Sequence, residues 1–323
     1  MTNKNGLQFR KNQSISLAVN NSLNVKHKKK INWPLHLMIL PAVILLFIYS
    51  YIPMLGIIIA FKDFDILLGR RAIFDSLWVG LQNYRELMDM GIMNVLYNTV
   101  LIAFLKVGTM FFIPIIIAIL LNEVNKSGVK RSVQTVIYMP HFLSWVILAG
   151  ILKTILSEKG LVNSLLNTIG IANIPFLSSN NWFVPTIILT NIWKEFGFST
   201  IIYLAAITSI DPGLYEAAII DGANRWRQTL HVTLPGMKPI IVLMLILSLQ
   251  GVLNAGFDQI FNLYSVPVYH SGDIIDTFVY RVSFGQAMYD IGTAVGLFKS
   301  VVSTIFITVS YWMAYKFANY KIF

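Results

Sequence analysis

The sequence predicts an all-α protein that crosses a membrane several times. Hydrophobic residues fill 56% of its 323 positions and charged residues only 12%, whereas a soluble domain is about one-quarter charged. Several apolar stretches approach or exceed the roughly 20 residues a helix needs to span a hydrocarbon core, where only helices or closed barrels satisfy the backbone. Cysteine is absent, which excludes disulfides, zinc–thiolate sites and thiol nucleophiles. The net charge of +10 does not point to nucleic acid, because the excess sits in an N-terminal tail (Lys4, Arg10, Lys11, Lys26, Lys28, Lys29, Lys30) and in loops beside the apolar stretches. It reads as a topology signal and as contact with membrane lipid.

Taken in order, residues 1–32 are rich in Asn, Ser and Lys, contain no acid and lack an apolar period, so they read as a basic, disordered cytoplasmic tail. The run at 34–60 is too long for the core of a secretory signal and ends without a small-residue cleavage site, which makes it a retained first span. Further spans are expected at 92–121, 133–156, 183–207, 238–255 and 294–315, giving a six-helix transmembrane domain over 33–323. Six spans put both termini on one side. With that side cytoplasmic, the inner segments collect the tail, Lys126, Lys130, Arg131, Arg225, Arg227, Lys238, Lys316 and Lys321. The outer bases are diluted by acids such as Asp63, Asp65, Asp75, Glu86 and Asp89, so the bias predicts a multi-pass cytoplasmic-membrane protein with both termini inside. Trp33, Trp78, Trp182 and Trp312 fall near the expected interfaces, and Pro41, Pro53, Pro114, Pro140 and Pro185 predict kinks where a pathway can pass.

One inner segment, 208–237, is unlike its greasy surroundings. Asp211 followed by Pro212 is a helix start, since Asp accepts an amide hydrogen bond and Pro fits the first helical position. Gly222 suits a helix end in the left-handed region that a residue with a Cβ resists. A second short amphipathic helix is expected at 223–231, running up to Leu234-Pro235 where the chain re-enters the bilayer. The small residues Ala217, Ala218 and Ala223 permit close approach, and Glu216, Asp221, Arg225 and Arg227 supply orienting charge. Two readings fit these residues: a docking knob for another protein, or an amphipathic loop lying on the headgroups.

The spacing of Glu216-Ala217-Ala218, Asp221-Gly222-Ala223 and Leu234-Pro235 resembles the EAA loop of permease subunits in binding-protein-dependent ABC importers. "YMPHFLSWVILAGI" (138–151), "DIIDTFVYR" (273–281), "TAVGLFKSV" (293–301) and most of the chain from Trp33 onward are similar to the maltose-type carbohydrate permeases, and within them to the LplB-like branch that handles oligosaccharides and polysaccharide fragments. His231-Val232 departs mildly, standing where many relatives have a larger apolar residue and Ile. The resemblance implies a type I ABC importer permease (MetI-like) fold and a transport subunit without an ATPase site of its own. It also implies a heterodimer with a second homologous permease, two copies of a cytoplasmic ABC ATPase carrying ATP and magnesium, and an extracellular sugar-binding protein. Glu216, Ala217, Ala218, Asp221, Gly222, Ala223, Leu234 and Pro235 would then form the ATPase coupling loop, with Glu216 and Asp221 for polar contacts and Gly222 for the turn.

No cofactor or metal is expected on this chain. It lacks G-x-x-x-x-G-K-[ST], H-E-x-x-H and G-x-S-x-G, and its five His residues do not cluster. For a substrate pathway, Asn191 and Trp193 on span four and Gln250 and Asn254 on span five offer the amides and the aromatic face that sugars need; interhelical hydrogen bonding is the competing reading. Lys106 lies mid-span and must face other helices or water, with a structural bond to backbone carbonyls as the plainer role. Lys194 and Glu195 are neighbours on different helix faces, and each is expected to have its own partner. The alternative function is an ion-coupled secondary transporter or channel, which would use Glu195, the acid clearly inside a span.

Overall fold

A computed structural model describes residues 33–250 and 253–318, and helices dominate them. Among the described residues, β-strand pairing is confined to a two-residue antiparallel pairing of β1 (Lys62–Asp63) with β2 (Leu77–Trp78). The basic tail expected at 1–32 lies outside the described residues. The chain divides into two units, Met1–Leu55 and Gly56–Phe323.

Helix α1 (His36–Phe61) begins in the first unit. It runs through Pro41, and a π-turn at Phe47–Tyr51 precedes Pro53, a widened turn that spares the proline ring its clash with the preceding carbonyl.

In the second unit follow α2 (Gln82–Asp89), α3 (Ile92–Asn122), α4 (Ser127–Phe142), α5 (Trp145–Ile155), α6 (Leu161–Thr168), α7 (Asn180–Thr208), α8 (Pro212–Ile220), α9 (Arg225–Ser248), α10 (Phe257–Leu263), α11 (Ile275–Tyr280) and α12 (Tyr289–Ala318). Helices α1, α3, α9 and α12 are long and apolar enough to cross a membrane. The pairs α4–α5 and α7–α8 meet the same measure but bend by 102° and 68°, so six candidate spans result if each bent pair is one.

The span expected at 133–156 is thus not straight. Pro140 sits in a tight 3₁₀ turn, Leu143 is extended, and Ser144 starts a new helix by accepting the Ile147 N–H at 3.3 Å. Proline removes one backbone donor and the serine caps a new start, so one apolar run becomes two helices. The span expected at 238–255 is also displaced: α9 begins at Arg225, and the chain has left the helix by Leu253.

Helices α3 and α7 form the spine. Ile102 and Ala103 meet Phe183, Ile187 and Ile188 in one buried cluster, and Ile115 and Ala118 meet Tyr203, Leu204 and Ile207 in another. Lipid supplies no hydrophobic drive between helices, so close packing and hydrogen bonds must hold them. Gly197 shows the closeness: a Cβ there would overlap the Ile137 carbonyl of α4. At the end away from α8, Leu87, Ile92, Val95, Ile275, Phe278 and Ile291 join α2, α3, α11 and α12. There Asn98 donates to the His270 carbonyl at 2.9 Å, and Arg281 pairs with Asp273 at 2.6 Å while lying 4.5 Å over the Tyr269 ring.

Candidate functional site

The 208–237 segment forms an elbow built largely from its own bonds. The Gly213 N–H donates to Asp211 Oδ1 at 2.9 Å, with Pro212 in the first turn of α8. At the other end Gly222 takes φ +74°, and the Ala223 N–H reaches back to the Ala218 carbonyl at 2.9 Å. Asn224 caps α9 by accepting the Arg227 N–H at 2.9 Å. Across the elbow, Tyr215 and Thr233 hydroxyls meet at 3.0 Å, and Gln228 donates to the Ala223 carbonyl at 2.8 Å.

The second helix differs from expectation. It does not stop at Leu234-Pro235 but continues as α9 through a π-turn at Thr229–Thr233, in which the Leu234 N–H bonds five residues back to the Thr229 carbonyl. The wider turn accommodates Pro235 without ending the helix. Glu216, Ala217, Asp221, Gly222 and Pro235 are exposed, and Ala218, Ala223 and Leu234 are half-buried. The carboxylates of Glu216 and Asp221 have no hydrogen-bond or ion-pair partner among the described residues. Beside them Ile220 (85% exposed) and Trp226 (69%) project with Ile219 and Leu214, an apolar patch flanked by unspent carboxylates.

Lys106 is buried and donates to the Ala255 carbonyl at 2.6 Å and to Gln259 Oε1 at 2.5 Å. Gln259 in turn donates to the Ile187 carbonyl at 2.7 Å and to Thr190 Oγ1 at 2.9 Å, so one knot ties α3, α7 and the start of α10. Gly256, at φ +94°, leaves room for the ammonium; a Cβ there would lie 2.6 Å from Lys106 Nζ.

Lys194 and Glu195 correct the sequence expectation, because they do pair, at 2.9 Å. Both side chains converge on His141 in the α4–α5 break: Lys194 donates to its carbonyl at 2.9 Å, and Glu195 Oε2 lies 2.7 Å from its Nδ1. The shared target draws together two side chains that start about 100° apart on the helix. His141 also stacks on Phe198 with ring centroids 4.1 Å apart.

Among the described residues, the pathway candidates Asn191, Trp193 and Asn254 make no hydrogen bond to one another. Asn191, half-buried, shares a face of α7 with Glu195 and Phe198, whereas Trp193, two residues on, faces an apolar groove with Leu148, Ile151, Leu152, Ile155 and Leu189. The side chain of Gln250 lies outside the described residues. Asn254 is exposed, 3.4 Å from Lys299, which pairs with Asp276 at 2.5 Å. Sequence reasoning missed the grouping of His141 with Glu195 and Phe198 on the α7 face that carries Asn191, and missed Asp276, Tyr280 and Lys299; the signals were the i, i+4, i+7 spacing of Asn191, Glu195 and Phe198 and the i, i+4 spacing of Asp276 and Tyr280.

A bundle of apolar helices broken in two places, with a bent, exposed elbow at one end, is the MetI-like fold of type I ABC importer permeases. The chain belongs to the family of binding-protein-dependent transport system inner membrane components, which matches residues 110–319. It is 43% identical to the polygalacturonan/rhamnogalacturonan transport system permease protein YteP of Bacillus subtilis (strain 168), covering 90% of each chain. It is 40% identical to protein LplB of the same organism over 91% of this chain and 92% of that one. Among solved structures, a chain of a bacterial ABC transporter involved in the import of the acidic polysaccharide alginate matches with a TM-score of 0.80 at 38% identity, covering 88% of this chain and 96% of that one.

Proposed function

We propose that this chain is the membrane permease subunit of an ATP-driven importer that carries an oligosaccharide, of the acidic kind derived from polysaccharides, across the cytoplasmic membrane. The relatives support the substrate class: one is named for polygalacturonan and rhamnogalacturonan, and another belongs to an importer of the acidic polysaccharide alginate. The elbow supports the energy source. Its carboxylates at Glu216 and Asp221 are unpaired among the described residues, and Ile219, Ile220 and Trp226 stand exposed around a turn stiffened by its own caps. That surface fits the cleft of a cytoplasmic ATPase, which carries the ATP and magnesium and drags the elbow as it closes. A ligand-driven bias between two conformations is what uphill transport requires.

In this reading the membrane domain is 33–323, the tail 1–32 and both termini lie in the cytoplasm, a second homologous permease completes a heterodimer, two ATPase copies dock below, and an extracellular sugar-binding protein delivers the cargo. A solved match in complex with an alginate pentasaccharide-bound periplasmic protein supports the last partner. The Asn191, Phe198 and His141 face supplies the amide and the aromatic rings for sugar contact. Glu195 is already engaged by Lys194 and His141, which argues against an ion-coupled role for it.

The chain contains no cysteine, so Ala218→Cys or Ala223→Cys reports on one position alone. Each is expected to crosslink to the ATPase in intact cells, in an amount that changes when ATP is trapped. Capture of no ATPase from either position would overturn the coupling assignment.

A further inference from the structure

Helices α10, α11 and α12 meet at the end of the bundle away from the elbow, and their meeting point is chemically unlike the surrounding apolar surface. The Phe257 and Phe261 rings stack with centroids 5.1 Å apart. The Tyr280 ring lies 4.7 Å from Phe261 and 5.9 Å from Phe257, and Phe284 lies 5.5 Å beyond Tyr280. Tyr280 and Phe284 are exposed, while Phe257 and Phe261 are half-buried, so the rings form an open shelf rather than a core.

Polar groups edge this shelf. Asp276 lies one turn before Tyr280 on α11 and holds Lys299 of α12 at 2.5 Å. Lys299 also reaches Asn254 Oδ1 at 3.4 Å, a long and weak bond. Asp276 Oδ2 and Asn254 Nδ2 make no hydrogen bond among the described residues. The edge therefore offers a free carboxylate acceptor, a free amide donor and an ammonium with one bond that is easily exchanged. Lys299 and Asp276 are both mostly but not wholly buried, where a charge-assisted bond is stronger than it is in water.

We propose that this shelf is a sugar-contact station, and that Lys299 reads the carboxylate of a uronate ring lying on Phe257, Phe261 and Tyr280. The apolar C–H face of the pyranose covers the aromatic rings, and its hydroxyls bond to Asp276 Oδ2 and Asn254 Nδ2. The uronate carboxylate takes the Lys299 donor that Asn254 now holds weakly. Asp276 holds Lys299 in place through their ion pair, and it disfavours a carboxylate placed in any other register. This inference rests on the sugar-import reading and adds the residue that discriminates acidic from neutral cargo.

The test is uptake of labelled trigalacturonate, and of its carboxyl-reduced neutral counterpart, by cells carrying the complete importer. Lys299→Gln is expected to lower uptake of the acidic trisaccharide at least tenfold and to change that of the neutral one less than twofold, with Lys299→Arg restoring most of the loss. Tyr280→Ala is expected to lower both. If Lys299→Gln fails to reach the membrane, the double variant Lys299→Gln/Asp276→Asn, which leaves no unpaired charge, takes its place with the same expectation. Equal loss for both sugars, or no loss for either, would overturn the role of Lys299 while leaving the import reading intact. An unaltered importer that accumulates neither sugar would overturn both.

Discussion

Replacing Gly222 separates the geometry of the elbow from what covers it. The residue sits at φ +74°, and a Cβ built there meets no atom within 4 Å. Any penalty within this chain is therefore one of backbone conformation alone, about 1–2 kcal/mol for an ordinary L-residue and less for Asn or Asp, which tolerate the left-handed region. Gly222→Asn and Gly222→Asp are nearly equal in size and in this backbone tolerance; they differ in charge. If the turn packs into a partner, a carboxylate left without a bond there costs at least a further 1–3 kcal/mol, or about one to two orders of magnitude in productive docking. In proteoliposomes holding the full importer, Gly222→Asn should keep most of its ATP-coupled uptake. Gly222→Asp should insert normally yet lose uptake by roughly ten- to one-hundredfold, at docking costs of this size. Equal activity of the two variants would refute the claim that a protein surface covers the turn.

Three further outcomes are expected. Lys106→Met leaves the Ala255 carbonyl and Gln259 Oε1 without their donor, at about 1–3 kcal/mol for each buried group; a clear fall in the thermal midpoint of the purified protein should follow, and an unchanged midpoint would show that the knot is dispensable. Gly292→Ala should cut membrane accumulation because its Cβ would overlap Ser283, whereas Gly296→Ala, with nothing within 4 Å, should be tolerated; equal levels on an immunoblot would contradict this packing. Burial, with help from Tyr269 and Asp273, pushes the Tyr264 phenol up to about 12 from an ordinary 10. The folded state then holds a proton that the unfolded state releases, so stability should fall as pH rises from 10 to 12, and Tyr264→Phe should flatten that fall in a pH series of melting curves.

The elbow was legible from residues alone because its determinants are local. Asp211, Pro212 and Gly222 act on backbone groups within five positions of themselves, and such rules do not depend on the rest of the fold; the Asn224 cap is equally local but was not singled out. The separation of Trp193 from Asn191 was equally within reach, since two residues on a helix are about 200° apart. What misled was hydropathy at 133–156, where an apolar average concealed the break that Pro140 and Ser144 make.

By itself the sequence determined that this protein lives in a membrane, roughly where its helices run and how its elbow turns, because burial in lipid and backbone capping are properties of short stretches. Only the tertiary structure decided which polar side chains meet. Lys106 finds Gln259 across 153 positions, Glu195 finds His141 across 54 and Lys299 finds Asp276 across 23. Each meeting depends on how far neighbouring helices are rotated and how closely they approach. Those quantities are set by the packing of whole helices against one another, at contacts such as Gly197 on Ile137, and no local pattern carries them.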